Sequence, residues 1–452
     1  MDIYEKTDER KSGDEMVPNR KLVSGIFLSI LLSIYTLTGC SSNNGTISTN
    51  TSSKEVTLTL LIDNQVEQDG IRAVAAKIEK KYHIKTEIET RPSGVEGHQV
   101  MKTRLATGDM ADLVIYNSGS LFQALNPEEY FVDLTHQPFM KNIVDPFKKS
   151  VTVNEKVLGL PIGSAIAGGW LYNKKVYKEL GLSVPKTWDE LIANSEKIKT
   201  AGKTAVIGTY KDDWTSQLIV LADYHNVVSE DPTFAADFSA NKAKFSTTPA
   251  ALRSFEKLSE VYKKGFLNKD FQSADYKDGM KMLIDGTGVQ YPMLSGMLTA
   301  MEKNYPDKYK DIGFFAQPGD NPDKNGLTVF MPAAIYVNKS TQHLEAAKKW
   351  LAFLVTPEGV KEFLADSSPV GPLAIKGMSV PTNAIPAVKD MLPYFDSGKT
   401  TPALEYLSPL KGPNLPQITL QVGSGLLSAK AGAEVYDQDV EKLAKQLRLK
   451  SW

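Results

Sequence analysis

From Val56 onward the hydrophobic period of the chain switches repeatedly between two and about 3.6 residues, and this alternation limits the possible folds more than any other feature. Val56-Thr57-Leu58-Thr59-Leu60-Leu61-Ile62 is a β-rich run that stops at Asp63-Asn64-Gln65. Ile71, Val74, Ala75 and Ile78 then recur at helical spacing, with Arg72, Lys77, Glu79 and Lys80 on the outer face. Ile84 to Glu89 alternates like a second strand, a helix follows over roughly Val100 to Thr107, and Asp112 to Tyr116 reads as a third, buried strand. Strand-helix-strand repetition predicts an α/β fold with a mainly parallel sheet. Such sheets bind ligands at the carboxyl ends of their strands. Asp63, Asn64 and Gln65 should therefore stand near Tyr116, Asn117 and Ser118 on one binding edge, whereas Asp109 and Asp112 are expected to cap or turn the chain.

The alternation continues downstream. "GGWLYNKKVYKELGLSVPKTWDEL" gives a strand, a short helix and a Pro-containing turn, and Thr187 with Glu190 forms a capping box for a helix that begins at Trp188. Phe255 to Tyr262 is amphipathic, and Lys281 to Ile284 leads into Gly286-Thr287-Gly288-Val289-Gln290-Tyr291. "LEAAKKWLAFLVTPEGVKEFLA" reads as two helices broken at Thr356-Pro357, with proline at the first helical position. A charged amphipathic helix runs from Asp437. Trp188 and Trp350 lie inside helical patterns and are expected in the core.

A chain of 452 residues normally folds into more than one domain. Its 53 acidic and 52 basic residues nearly cancel, so no basic surplus points to nucleic acid. Five histidines (His83, His98, His136, His225, His343) stand far apart without metal-ligand spacing, and no metal or cofactor is expected. Gly286 and Gly288 lack the rest of a dinucleotide fingerprint. Asn321 to Gly326 mimics the start of a calcium loop, but its twelfth position is Pro332 instead of glutamate. No Gly-x-Ser-x-Gly elbow occurs, and no catalytic residues are expected. A retaining glycosidase needs only two carboxylates about 5–5.5 Å apart. A surface-anchored glycan-degrading enzyme therefore stays as an alternative, as does a lipoprotein that binds a peptide or another small solute.

The single cysteine rules out an intrachain disulfide and belongs to a different kind of signal. No Asp, Glu, Lys or Arg occurs between Leu22 and Ser53, and Leu22 to Leu37 is an apolar run of 16 residues preceded by Arg20 and Lys21. That is short for a spanning helix, which needs about 20 residues, and suits a signal-peptide core. The run ends in Leu37-Thr38-Gly39-Cys40, which resembles a bacterial lipoprotein box, so residues 1–39 are expected to be a signal peptide and Cys40 the lipidated residue. A start at Met16 would leave the more usual positive leader Met-Val-Pro-Asn-Arg-Lys. The Ser/Asn/Thr/Gly-rich stretch over residues 40–54 reads as a flexible tether. This places the body at the outer face of a bacterial cell membrane, held by a lipid anchor.

"LATGDMADLVIYNSGSLFQAL", "LPIGSAIAGGWLYNKKVYKELGLSVPKTWDEL" and "AAKKWLAFLVTPEGVKEFL", in that order, resemble the family 1, sugar-binding type of extracellular solute-binding proteins of ABC importers, the maltodextrin-binding-protein-like branch. The resemblance covers nearly everything from Glu55 to Leu447. It implies a type II periplasmic-binding-protein-like fold, two α/β lobes around a hinged ligand cleft. One lobe would hold residues 55–162 plus about 334–383, the other about 163–333 plus 384–452. It also implies a monomer that captures a carbohydrate, an oligosaccharide, and delivers it to ABC permease subunits with their ATPase. Sugars offer flat C–H faces and a rim of hydroxyls, so aromatic rings and Asn, Gln, Asp or Glu are the side chains to seek. Matching segments carry the stacking role to Tyr116, Trp170, Trp214 and Tyr291. "GPNLPQITLQVGSG" resembles the family's last cleft-lining segment, but has Leu420-Gln421-Val422 where maltodextrin-type relatives offer a bulky aromatic.

Overall fold

The computed structural model describes residues 55–365, 368–378, 380 and 384–452. The leader over 1–39, Cys40 and the tether to residue 54 lie outside the described residues. Two sheets organise the body. In the first, the parallel strands Ile84–Arg91, Val56–Asp63 and Leu113–Tyr116 are followed by the antiparallel Ala334–Val337 and then by Gly159–Pro161. Leu58, Leu60, Leu61 and Ile62 are all fully buried, because helices cover both faces of this sheet. Its core joins Leu60, Leu113 and Ile115 to Trp350, Leu351 and Phe353 of the Leu344–Leu354 helix.

In the second sheet Ile166–Asn173 is the central strand. Gly288–Leu294 pairs with it on one side, and Ile312–Ala316 and Leu327–Phe330 share the other, all antiparallel. The outer strands Thr204–Val206 and Thr400–Pro402 are parallel to their neighbours. Side chains alternate between two cores, as the period of two requires. Trp170, Tyr172, Val289 and Phe315 point into one with Trp188, Phe255 and Tyr436. Ala167, Leu171, Tyr291, Met293 and Phe314 point into the other with Met280, Leu298 and Met391.

The expected local signals mostly form. Thr187 and Glu190 make the capping box, and Thr356 accepts from the Gly359 N–H at the start of Pro357–Phe363. Two helices begin earlier than their periodicity suggests. Gly94–Thr107 starts with Gly-Val-Glu-Gly, and Ala429–Gln446 buries Ala429, Gly432 and Ala433, so small residues conceal the apolar stripe.

The connections between the sheets lie side by side. The Ile162 N–H donates to the Ala333 carbonyl (3.0 Å), and the Ala165 N–H donates to the Pro372 carbonyl (2.8 Å). The Val370 N–H donates to Ser164 Oγ (3.2 Å). Gly371 permits this approach, since a Cβ there would stand 2.1 Å from the Ala165 carbonyl oxygen. Three adjacent crossings are the geometry of a hinge between two lobes.

Candidate functional site

The carboxyl ends of Val56–Asp63 and Leu113–Tyr116 face the second lobe across a cleft that holds two adjoining cavities, of about 320 and about 920 Å³. Both values fall within the range of about 300–1,000 Å³ typical of small-molecule sites.

The inner, smaller cavity is built on Asp63 and Tyr116. Asp63 closes an ion pair with Arg91 Nη1 (3.3 Å) and accepts from Ser93 Oγ (3.0 Å). The Arg91 guanidinium lies 5.1 Å from the centre of the Tyr116 ring, and the Tyr116 hydroxyl is hydrogen-bonded to His98 Nδ1. Burial pushes the Tyr116 phenol well above its usual range. From the second lobe come Trp214, Gln217, Phe330 and Tyr406, together with the Glu405–Lys411 ion pair (2.5 Å). Arg91 Nε, His98 Nε2 and Gln217 Oε1 are buried and have no partner among the described residues. Such groups cost about 1–3 kcal/mol each while unpaired. All three residues line the inner cavity.

His98 gives this wall a pH signature. Burial above all, then the nearby Lys102 and Arg91 charges, lower its pKa to about 4. Between that value and about 6.5 the unfolded chain takes up a proton that the folded one refuses. This contribution to stability is therefore whole above about pH 6.5 and is lost as the pH falls toward 4. His98→Gln is expected to flatten that limb of the stability curve in urea unfolding at a series of pH values. An unchanged slope refutes the assignment.

The outer cavity is lined by Asn64, Gln65, Glu67, Tyr276, Lys303 and Phe363 among others. At its rim Lys303 bridges the lobes, pairing with Glu67 (3.0 Å) and Asp69 (2.6 Å).

Of the nine residues expected to face a ligand, seven line the cleft. Asp63, Asn117 and Trp214 touch both cavities, Tyr116 and Ser118 the inner one, and Asn64 and Gln65 the outer one. Ser118 is also a hinge anchor, donating from Oγ to the Pro332 carbonyl (3.0 Å). Trp170 and Tyr291 require correction. Trp170 is wholly buried against Trp188 and Phe315, with its Nε1 donating to Gln317 Oε1 (2.5 Å). Tyr291 is 1 % exposed, and its hydroxyl is bonded to Thr209 Oγ1 (2.8 Å). Both stand inside their strands instead of at the ends. The register pairs Gly168 with Leu294 and Ile166 with Phe330, and Ile166, Leu294 and Phe330 are the residues that reach the cleft. The Leu420-Gln421-Val422 expectation also shifts. Gly412, Pro413 and Pro416 line the cavity, whereas Val422 is fully buried.

The profile of a family described as bacterial extracellular solute-binding protein matches residues 63–361. The multiple sugar-binding protein of Streptococcus mutans is 29% identical over 347 residues, covering 74% of this chain and 79% of the relative. The melibiose/raffinose/stachyose-binding protein MelE of Bacillus subtilis is 25% identical over 392 residues, covering 82% and 86%. Among solved structures, RafE in complex with raffinose aligns with a TM-score of 0.72 at 22% identity, over 86% of this chain and 99% of that one. A chitin oligosaccharide binding protein aligns with a TM-score of 0.74 at 18% identity, over 86% and 100%. At such identities the structural likeness establishes the two-lobed type II fold and nothing finer.

Proposed function

Because the chain belongs to the bacterial extracellular solute-binding protein family, we propose that it captures a carbohydrate, an oligosaccharide, in the interlobe cleft and hands it to an ABC-transporter permease. The observation that carries this reading is Trp214, a half-buried aromatic that lines both cavities beside Asp63 and Asn117. A ring for the sugar face next to groups for its hydroxyls is the pairing that carbohydrate requires. The sugar-binding relatives support the same ligand class. Residues 55–162 with about 334–383 make one lobe and about 163–333 with 384–452 the other, a division supported by the separate hydrophobic cores. The protein works as a monomer without a catalytic step. A lipid on Cys40 holds it at the outer face of the membrane, and no helix among the described residues is long and apolar enough to cross one.

A panel of oligosaccharides, amino acids and peptides, read by thermal shift with chromatography of the glycans, tests the reading. At a ligand concentration one hundred times Kd, stabilisation is about 2.7 kcal/mol. Saturable stabilisation by an intact oligosaccharide is expected. Release of products would mark a glycan-degrading enzyme, and no stabilisation by any saccharide would end the proposal. Separately, Cys40→Ala should abolish acyl labelling and leave an unprocessed precursor; labelling that persists would remove Cys40 as the anchor.

A further inference from the structure

The two cavities share part of their walls, and one cross-lobe side chain spans between two of the shared residues. Asp63, Ser93, Asn117, Ile166, Trp214 and Leu294 line both, so the chambers meet along these residues. At that boundary Gln65 of the first lobe reaches to the second. Its Oε1 accepts from Trp214 Nε1 (3.0 Å) and its Nε2 donates to Asp212 Oδ1 (3.1 Å). The amide thus spends both ends on the opposite lobe and is a cross-cleft fastener, not a free ligand contact.

Both sides of the bridge are anchored. The Gln65 N–H donates to Asp63 Oδ1 (2.8 Å), and Asp63 is itself held by Arg91 and Ser93. Across the cleft, Asp212 Oδ2 accepts from the Tyr276 N–H (2.8 Å) at the start of the Tyr276–Asp285 helix. Trp214 sits on the short Asp213–Gln217 turn, with its ring centre 6.4 Å from that of Tyr276. The Lys303 pairs at the rim also join the lobes, but they are well exposed and lie outside the inner chamber.

We propose that Gln65 selects ligand length. On the carbohydrate reading above, a saccharide that ends within the inner chamber of about 320 Å³ binds with the Gln65–Trp214 bridge closed. A longer chain must break that bridge to continue into the outer chamber of about 920 Å³. Crossing the boundary is therefore possible only after two hydrogen bonds are given up, once for any longer chain.

Calorimetric titration of the soluble body with melibiose, raffinose and stachyose, and with maltose, maltotriose and maltotetraose, tests this. In Gln65→Ala the affinity for the tetrasaccharide relative to the disaccharide of the bound series should rise about tenfold. Lys303→Ala loosens lobe contact and removes an outer-chamber side chain while leaving the Gln65 bridge in place, so it should not raise the ratio. A Gln65→Ala ratio within twofold of the unaltered protein overturns the proposal, as does an equal change of ratio in Lys303→Ala. Binding by no member of either series overturns the carbohydrate reading and this inference with it, whereas binding with an unmoved ratio overturns the inference alone.

Discussion

Replacing Lys257 with alanine is expected to cost the folded body about 3–5 kcal/mol, the usual penalty for removing one partner of a buried ion pair. Lys257 lies on the Pro249–Lys263 helix, and its ammonium donates to Asp223 Oδ1 (2.6 Å) and to the Pro318 carbonyl (3.0 Å). Both side chains are 1% exposed. The charge also lies 5.6 Å from the Trp188 ring, which adds a cation–π contact. On the acidic side, Asp223 Oδ1 accepts from Asn226 Nδ2 (2.7 Å) as well, while Oδ2 has no partner among the described residues. Alanine would leave this carboxylate buried without a cation. Lys257→Met keeps the aliphatic stem and isolates the charge from the packing. Joined to Asp223→Leu, it should restore most of the stability, because well-packed apolar replacements of buried pairs are often neutral or better. Urea unfolding measures all three; a loss below about 1 kcal/mol in Lys257→Ala would remove the pair from the account of stability.

This pair was not legible in the sequence, and the reason is instructive. Lys257 occupies a helical position that reads as solvated until the second core closes over it. Local signals behaved differently. The run ending at Asp63 and the buried strand ending at Tyr116 were visible as periods, and the parallel-sheet rule then placed both ends on the cleft. Trp170 and Tyr291 failed because strand length, not aromatic character, decides which residue reaches an end. Gly288–Leu294 runs three residues past Tyr291, so Leu294 takes the cleft position. Arg91, His98, Glu405, Tyr406 and Lys411 were missed altogether. Arg91 ends the Ile84–Arg91 strand two residues beyond the alternating run to Glu89, His98 lies in the part of the Gly94–Thr107 helix that precedes the visible period at Val100, and the Leu404–Lys411 segment has no period. The hinge came from the family resemblance, since nothing local announces that Ala165 and Pro372 will be hydrogen-bonded neighbours.

Trp214→Ala should weaken saccharide binding at least tenfold, equivalent to about 1.4 kcal/mol, in a body that remains folded. The ring is half-buried in the free protein, packs in part against the core around Met280 and Leu298, and lines both chambers, so its loss removes contact area that a ligand would cover together with a share of core packing. Aromatic side chains offer large, rigid faces at low conformational cost, which suits the C–H face of a sugar. The same residue donates to Gln65, so alanine removes the stacking face and the bridge together. Trp214→Phe separates them, because it keeps a ring and deletes the N–H. If stacking dominates, the phenylalanine variant retains most of the affinity for a disaccharide; if the bridge dominates, it falls nearly as far as alanine. For the inner chamber stacking should dominate, since a ligand confined there leaves the Gln65 bridge intact and gains from the ring alone. Titration curves for Trp214→Ala that match those of the unaltered protein would take Trp214 out of the site, and with it the observation on which the carbohydrate reading chiefly rests.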